Sequence, residues 1–195
     1  TAFDGSAFAR DTLNAFSVAT EILQGTDIQA LEPHLAPQFS HALWIKDAAS
    51  VDNPGAVVKA YAQLFVQQGG VFKTAEVTAL SQQAVGWQWQ DAQGKQHATP
   101  NVVLAMGPWS ESLLSACRLP STFKAHMGFE RGYHRHFQTL DGITLSRPIY
   151  DIAGAYVLSP MQDDSGASVL RMTTGVELAA RDAKPNWTQL EAAEN

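Results

Sequence analysis

The stretch that most limits what this chain can fold into is Asn101-Val-Val-Leu-Ala-Met-Gly-Pro-Trp-Ser110. Four apolar residues, Val102 to Ala105, follow one another without alternation. That suits a strand covered on both faces, as in the parallel sheet of an α/β domain. Pro108 stands where a first helical residue would, and Trp109, Leu113 and Leu114 continue at helical spacing. The expectation is strand, glycine turn, helix. In open α/β sheets such a turn lies at the carboxyl end of a strand, where ligands bind, and Gly107 lets backbone approach a ligand with no Cβ in the way. An ordinary βα connection that holds no ligand would read the same.

At 195 residues the chain can bury a real core, as one large domain or one and a half small ones. Hydrophobic residues at 45% against charged residues at 16% describe a globular protein rather than a disordered one. A net charge of -6 with no basic run excludes a general nucleic-acid binder. No apolar run is long enough to cross a bilayer and nothing at the start resembles a signal peptide, so the cytoplasm is expected, with the inner face of the membrane as a further place of association. Cys117, the single cysteine, excludes an internal disulfide and reads as core filler on a helix from Trp109 to Leu119. Thr1 opens the chain without an initiator Met, and Asn186 caps a closing helix with no stop signal, so a piece of a longer protein is expected.

Taken in order, Ser6 to Gln24 places Ala9, Leu13, Phe16, Thr20 and Leu23 on one face of a helix that Gly25 would end. Asp27 can cap a short helix over Ile28 to Leu31, and Leu31-Glu-Pro-His-Leu-Ala-Pro37 is a packed linker. Phe39 to Ile45 reads as a short strand. Asp52-Asn-Pro-Gly starts a helix whose apolar face is Val57, Val58, Tyr61, Leu64 and Phe65, and Gly69-Gly70 ends it. Val71 to Leu80, Ala84 to Gln90 and Lys95 to Thr99 read as strands, the last two joined by a hairpin turn at Asp91-Ala-Gln-Gly94. In the second half Phe123 to Phe137, Ile143 to Tyr150, Ala155 to Leu158 and Ser168 to Leu178 are strand candidates joined by short connections, which implies an antiparallel sheet.

The densest chemistry is Glu130-Arg-Gly-Tyr-His-Arg-His-Phe137. On a strand, Arg131, Tyr133, Arg135 and Phe137 share one face, and Gly132, His134 and His136 share the other. A face with Arg and Tyr offers a donor fork for a carboxylate, as an amino-acid or hydroxy-acid substrate needs. A solvated strand with ordinary cross-strand pairs is the competing reading. His134 and His136 could make half a zinc site, but no further ligand stands at suitable spacing, so no metal is expected. Asp163 and Asp164 sit with Ser165-Gly166 in a turn and are read as turn residues. There is no Gly-x-Ser-x-Gly elbow, phosphate loop or Gly-x-Gly.

The order of these pieces resembles the middle of FAD-dependent oxidoreductases of the D-amino-acid oxidase type, nearest to bacterial D-amino-acid dehydrogenases and glycine oxidase. Leu31-Glu-Pro, the Asn53-Pro54 helix ending at Gly69-Gly70, Val102-Val-Leu-Ala-Met-Gly107, Glu130-Arg-Gly-Tyr-His134 and Leu170-Arg-Met-Thr-Thr-Gly-Val-Glu177 fall in the family's order. The resemblance implies that the backbone of Val77 meets the adenine end of FAD and that the Ala105-Met106-Gly107 turn passes close to the cofactor. It implies that Arg131, Tyr133 and His134 lie on the strand leading to the substrate, and that Arg171 precedes the family's Gly-x-x-Glu. Substrate-binding residues are thus expected at Arg131, Tyr133, His134 and Arg171, with no catalytic side chain assigned. The strand position that carries a carboxylate-gripping Arg in glycine oxidase-like members is matched here by Ser159-Pro-Met161, so either Arg171, Arg147 or Arg131 replaces it or the substrate differs. The family's GxGxxG segment and its carboxy-terminal glycine-rich segment have no match in this sequence.

The fold expectation is therefore α+β: an antiparallel or mixed substrate sheet with helices, plus a β-meander and a strand belonging to a FAD-binding α/β domain. Residues 1–52 are assigned to a helical linker region and the start of the substrate domain, 53–115 to the FAD-binding side and 116–195 to the antiparallel substrate domain. The activity implied is oxidation of a D-amino acid or related amine by hydride transfer to FAD in the full-length protein, the piece alone being inactive. Its expected partners are the small-molecule substrate and either a second copy of itself or the remaining FAD domain. A non-catalytic binding or subunit-contact module is the second reading.

Overall fold

The computed structural model describes residues 4–117, 128–140 and 142–194. They form two compact units, Thr1–Val58 with Gly132–Val176 and Pro185–Asn195, and Lys59–Arg131 with Glu177–Lys184. The architecture is α+β, as expected.

In the first unit, α1 (Asp4–Ala15) ends where Ser17 takes a left-handed φ of 60°. The chain then enters β1 (Thr20–Gln24), so the single helix expected from Ser6 to Gln24 is two elements. Thr20 and Ile22 are β-branched and suit a pleated surface, and β1 finds an antiparallel partner in β2 (His41–Ile45). That partner lies 17 residues or more downstream, which a local helical period cannot register. Between them α2 (Gly25–Leu31) opens with a reciprocal box in which the Asp27 carboxylate accepts the Gln24 amide at 3.3 Å.

The main sheet of this unit has the order β6-β9-β8-β7, built from β6 (Glu130–Gln138), β7 (Ile149–Asp151), β8 (Tyr156–Gln162) and β9 (Ser168–Leu178). β7 with β8 and β8 with β9 are antiparallel. The Asp163 turn joins the last two: its Oδ1 accepts the Ser165 hydroxyl at 2.6 Å, the Ala167 amide at 3.0 Å and the Ser165 amide at 2.8 Å, and these bonds, the hydroxyl first, hold the carboxyl below the usual range. Tyr133, Met172 and Leu190 make the core, with α5 (Thr188–Glu194) laid on the sheet. Asn186 Oδ1 accepts the Thr188 amide at 3.2 Å, the cap its sequence promised.

In the second unit β3 (Val77–Gln82), β4 (Trp87–Asp91) and β5 (Gln96–Thr99) form an antiparallel meander. Two expectations fail here. The strand expected from Val71 begins only at Val77, and Val102 to Ala105 form no strand: Val103 is 88% exposed. Among the described residues no strand pairs with 101–106, and Val102 and Leu104 are half-buried. A 3-10 turn (Gly107–Trp109) leads into α4 (Ser110–Ala116), so helix does follow the glycine. The expected continuation of that helix to Leu119 and the strand start at Phe123 lie outside the described residues.

Helix α3 (Pro54–Gln67) begins and ends where its caps predict. Asn53 Oδ1 accepts the Ala56 amide at 2.9 Å, and the Gly70 amide donates to the Phe65 carbonyl at 2.9 Å beyond Gly69, whose φ is 91°. Its apolar face is nonetheless uncovered, with Tyr61 71% exposed.

Candidate functional site

The alternation on β6 sorts its side chains as the sequence implies. Tyr133 points into the core on one face, 6% exposed, with its phenol oxygen accepting the Asn186 amide at 2.8 Å and its ring edge-on to Trp187 at 5.1 Å. His134 and His136 stand on the other face, ring centres 5.4 Å apart. There Arg171 of β9 donates its Nε–H to His136 Nε2 at 2.8 Å. A guanidinium is always a donor, so Nε2 of His136 is the acceptor in this bond.

The four side chains expected to hold substrate thus do not converge. Tyr133 is turned to the opposite face as a packing residue. Arg131 is spent on backbone: its Nη1 donates to the Lys184 carbonyl at 3.1 Å, and its Nη2 to the Arg181 carbonyl at 3.1 Å. Arg147, the third arginine that could replace the missing clamp, donates its Nε–H to the buried Glu32 carboxylate at 2.8 Å. Arg171 alone of the three carries neither an ion pair nor a hydrogen bond on its Nη atoms among the described residues. Its cross-strand neighbour is Ser159, and Met161, at the position where relatives of the glycine oxidase type were expected to carry Arg, is buried.

The electrostatics of this face agree with an anion site. Burial pushes the His134 imidazole below its ordinary value, and the positive charge of Arg171 adds to that. An open fork beside two imidazoles, with no acid paired to it among the described residues, can take a carboxylate bidentately. His136 escaped notice as a site residue because the pairing that brings β9 beside β6 cannot be read from either strand alone; its place on the His134 face was the available signal.

The residues expected at FAD belong to the second unit. Val77 starts β3, half-buried, where the register with β4 slips by one residue. Ala105, Met106 and Gly107 are exposed, Gly107 has a φ of 54° and nothing lies within 4 Å of where its Cβ would be. Among the described residues no backbone amide from Val102 to Ala105 donates a hydrogen bond. These groups fit a cofactor edge approached by backbone alone. Elsewhere in this unit Asp91 and His97 form a pair at 3.0 Å, the imidazole stacked on Trp89. Burial raises the Cys117 thiol, which suits filler rather than nucleophile. Among the described residues no group of His, Cys, Asp or Glu could hold a metal ion, and no helix is long and apolar enough to cross a membrane.

A family model described as FAD dependent oxidoreductase (DAO) matches residues 3–194, and the chain belongs to that family. The family is FAD dependent, so FAD is the cofactor. Among curated proteins the chain is 31% identical over 125 residues to a tRNA 5-methylaminomethyl-2-thiouridine biosynthesis bifunctional protein of Aeromonas hydrophila, a match that covers 63% of this chain and 17% of that one. Among solved structures it is similar to L-proline dehydrogenase from P. horikoshii, with a TM-score of 0.75 and 16% identity over 98% of this chain and 51% of that one. Glycine oxidase from Geobacillus kaustophilus gives 0.74 and 16%, over 99% and 50%. The chain spans about half the length of these structures.

Proposed function

We propose that this chain supplies the substrate sheet and part of the cofactor side of an enzyme that oxidises a D-amino acid or related amine, with Arg171 holding the substrate carboxylate. The observation that carries the proposal is the open Nη fork of Arg171, aimed by His136. In this reading His136 is a positioning residue, His134 lines the site, and Arg131 and Tyr133 support the strand from behind. Val77 and the Ala105 to Gly107 turn lie along FAD. The chemistry FAD supplies when bound is acceptance of a hydride from the carbon that bears the amine. Proline and glycine, in the names of the similar structures, each join an amine to a carboxylate, which supports an amino acid here. The tRNA of the curated relative's name is a polyanion, and a chain of net charge -6 offers it no basic stripe.

The test is visible absorption of the full-length flavoprotein that carries this chain, after addition of FAD and gel filtration, followed by anaerobic addition of D-amino acids. The expected result is retained flavin colour that bleaches with substrate. Arg171→Ala should lower the rate of bleaching at low substrate about a hundredfold, the loss of a charged contact worth a few kcal/mol, while Arg131→Ala leaves it within a few-fold. Retained flavin that no amine or amino acid bleaches rejects the proposal. Colourless protein that dimerises favours the second reading, a non-catalytic contact module, for which the uncovered face of α3 is the supporting feature.

A further inference from the structure

The first unit contains a cavity of about 380 Å³ that the proposed oxidation does not use. Tyr156, Leu158 and Leu170 form its floor, and Phe39 and Phe137 stand in its wall. In the β8–β9 register Leu158 faces Met172 and Pro160 faces Leu170, whereas Ser159 faces Arg171. Alternation along β9 therefore puts the cavity on one face of the sheet and Arg171 on the other.

The wall is held in place from both ends. Glu32, 3% exposed, accepts the Ser146 amide at 2.9 Å, and His34 Nδ1 lies 2.9 Å from the Thr144 carbonyl oxygen. These two contacts tie the loop from His34 to Phe39 to the loop that follows β6, so the space between them is preformed. Its size falls within the range of small-molecule sites.

The charge in the cavity is one-sided. Asp151 lines it, and its Oδ1 accepts the Ala153 amide at 2.9 Å and the Gly154 amide at 3.1 Å. Burial raises the Tyr156 phenol above its ordinary value, and the negative charge of the Asp151 carboxylate adds to that. All of these donors are neutral. Among the described residues Asp151 has no ion pair, and the lining contains no Lys or Arg. A carboxylate at an apolar wall gains most from a ligand that brings its own cation, and the aromatic rings there favour the same charge.

We propose that this cavity is a second ligand site, separate from the Arg171 face, for a small apolar ammonium ion whose hydrocarbon body lies against Phe39, Phe137 and Leu158 and whose N–H groups donate to Asp151. The inference stands whether or not Arg171 holds a substrate carboxylate.

The test is binding of benzylammonium to the 195-residue protein by calorimetry, with benzyl alcohol as the neutral control of similar shape. Asp151→Asn keeps an Oδ1 acceptor for Ala153 and Gly154 and removes the charge. Benzylammonium should bind the unaltered protein about tenfold or more tighter than benzyl alcohol does, and Asp151→Asn should erase that difference, a gap of about 1.4 kcal/mol. Arg171→Ala should leave benzylammonium binding unchanged. Equal binding of amine and alcohol, no binding of the amine at millimolar concentration, or loss on Arg171→Ala overturns the proposal. The comparison of the two ligands on the unaltered protein decides the matter even if Asp151→Asn does not fold.

Discussion

At the scale of single residues, this protein shows how the same side chain takes opposite roles according to what its neighbours offer. Arg131, Arg147 and Arg171 are alike in sequence, yet two are consumed by carbonyls or a buried carboxylate and one is aimed by an imidazole nitrogen that accepts its Nε–H. Asp91 is the clearest case of a carboxyl fixed by its surroundings. It accepts from His97 at 3.0 Å and from the amides of Lys95 at 2.9 Å and Gln93 at 3.1 Å, and these bonds, His97 first, hold it below the ordinary value of 3.8. A carboxyl depressed on folding adds stability that is present above the unfolded value and is lost as pH falls through the folded one. Urea unfolding between pH 6 and about 2.5 should therefore show stability of the unaltered protein falling more steeply below about pH 4 than that of Asp91→Asn, which keeps an acceptor but cannot titrate. Parallel curves would mean that the pair contributes nothing on the acid side.

Among the elements, the tie between α2 and the loop after β6 carries the most risk. Glu32 caps nothing in sequence terms; it follows a helix and precedes a proline. In space it accepts the Ser146 amide and hydroxyl and pairs with Arg147. Removing it strands a buried donor set, and Glu32→Ala should lower stability by about 2–4 kcal/mol, discounted because Arg147 is partly exposed. Urea midpoints at neutral pH would measure it, and a change below about 0.5 kcal/mol would place the carboxylate outside the folding core. Helix α3 predicts the reverse. Val58→Gln with Tyr61→Gln should change stability by no more than about 0.5 kcal/mol, because neither side chain loses packing, and should reduce self-association in gel filtration. A large loss would mean that the face is covered in the protein as it exists. These two elements mark what the sequence made legible. Caps, turns and the alternation on β6 are local and read correctly, as at Asn53, Asn186 and the Asp163 turn. What pairs with what is not local. The strand status of Val102 to Ala105, the break of the first helix into β1 and the meeting of His136 with Arg171 all depend on partners far along the chain.

For the whole molecule, the unequal depth of burial in the two units sets the pattern of local opening. The first unit has β8 and β9 in the interior of a four-stranded sheet, with Val169 and Leu190 almost wholly buried and α5 laid across the core. Among its described residues the second unit buries few large side chains, Leu80 and Leu113 among them, while Val71, Phe72 and Val103 stay exposed on chain that no described strand pairs. Free energies of opening range from near zero in such segments to the global value in paired interior strands, so amide exchange should sort the chain accordingly. In native-state hydrogen exchange, Leu158 to Met161 (Pro160 having no amide) and Leu170 to Thr173 should exchange slowest. Residues 71–75 and 102–105 should exchange close to the rate of unstructured chain. Addition of FAD separates two sources of order: protection that then appears at 102–105 would arise from a ligand along the Ala105 to Gly107 turn, as the family assignment leads one to expect. Protection already present there without FAD would mean that these amides find partners inside the protein itself, and the backbone surface assigned to the cofactor would have to lie elsewhere.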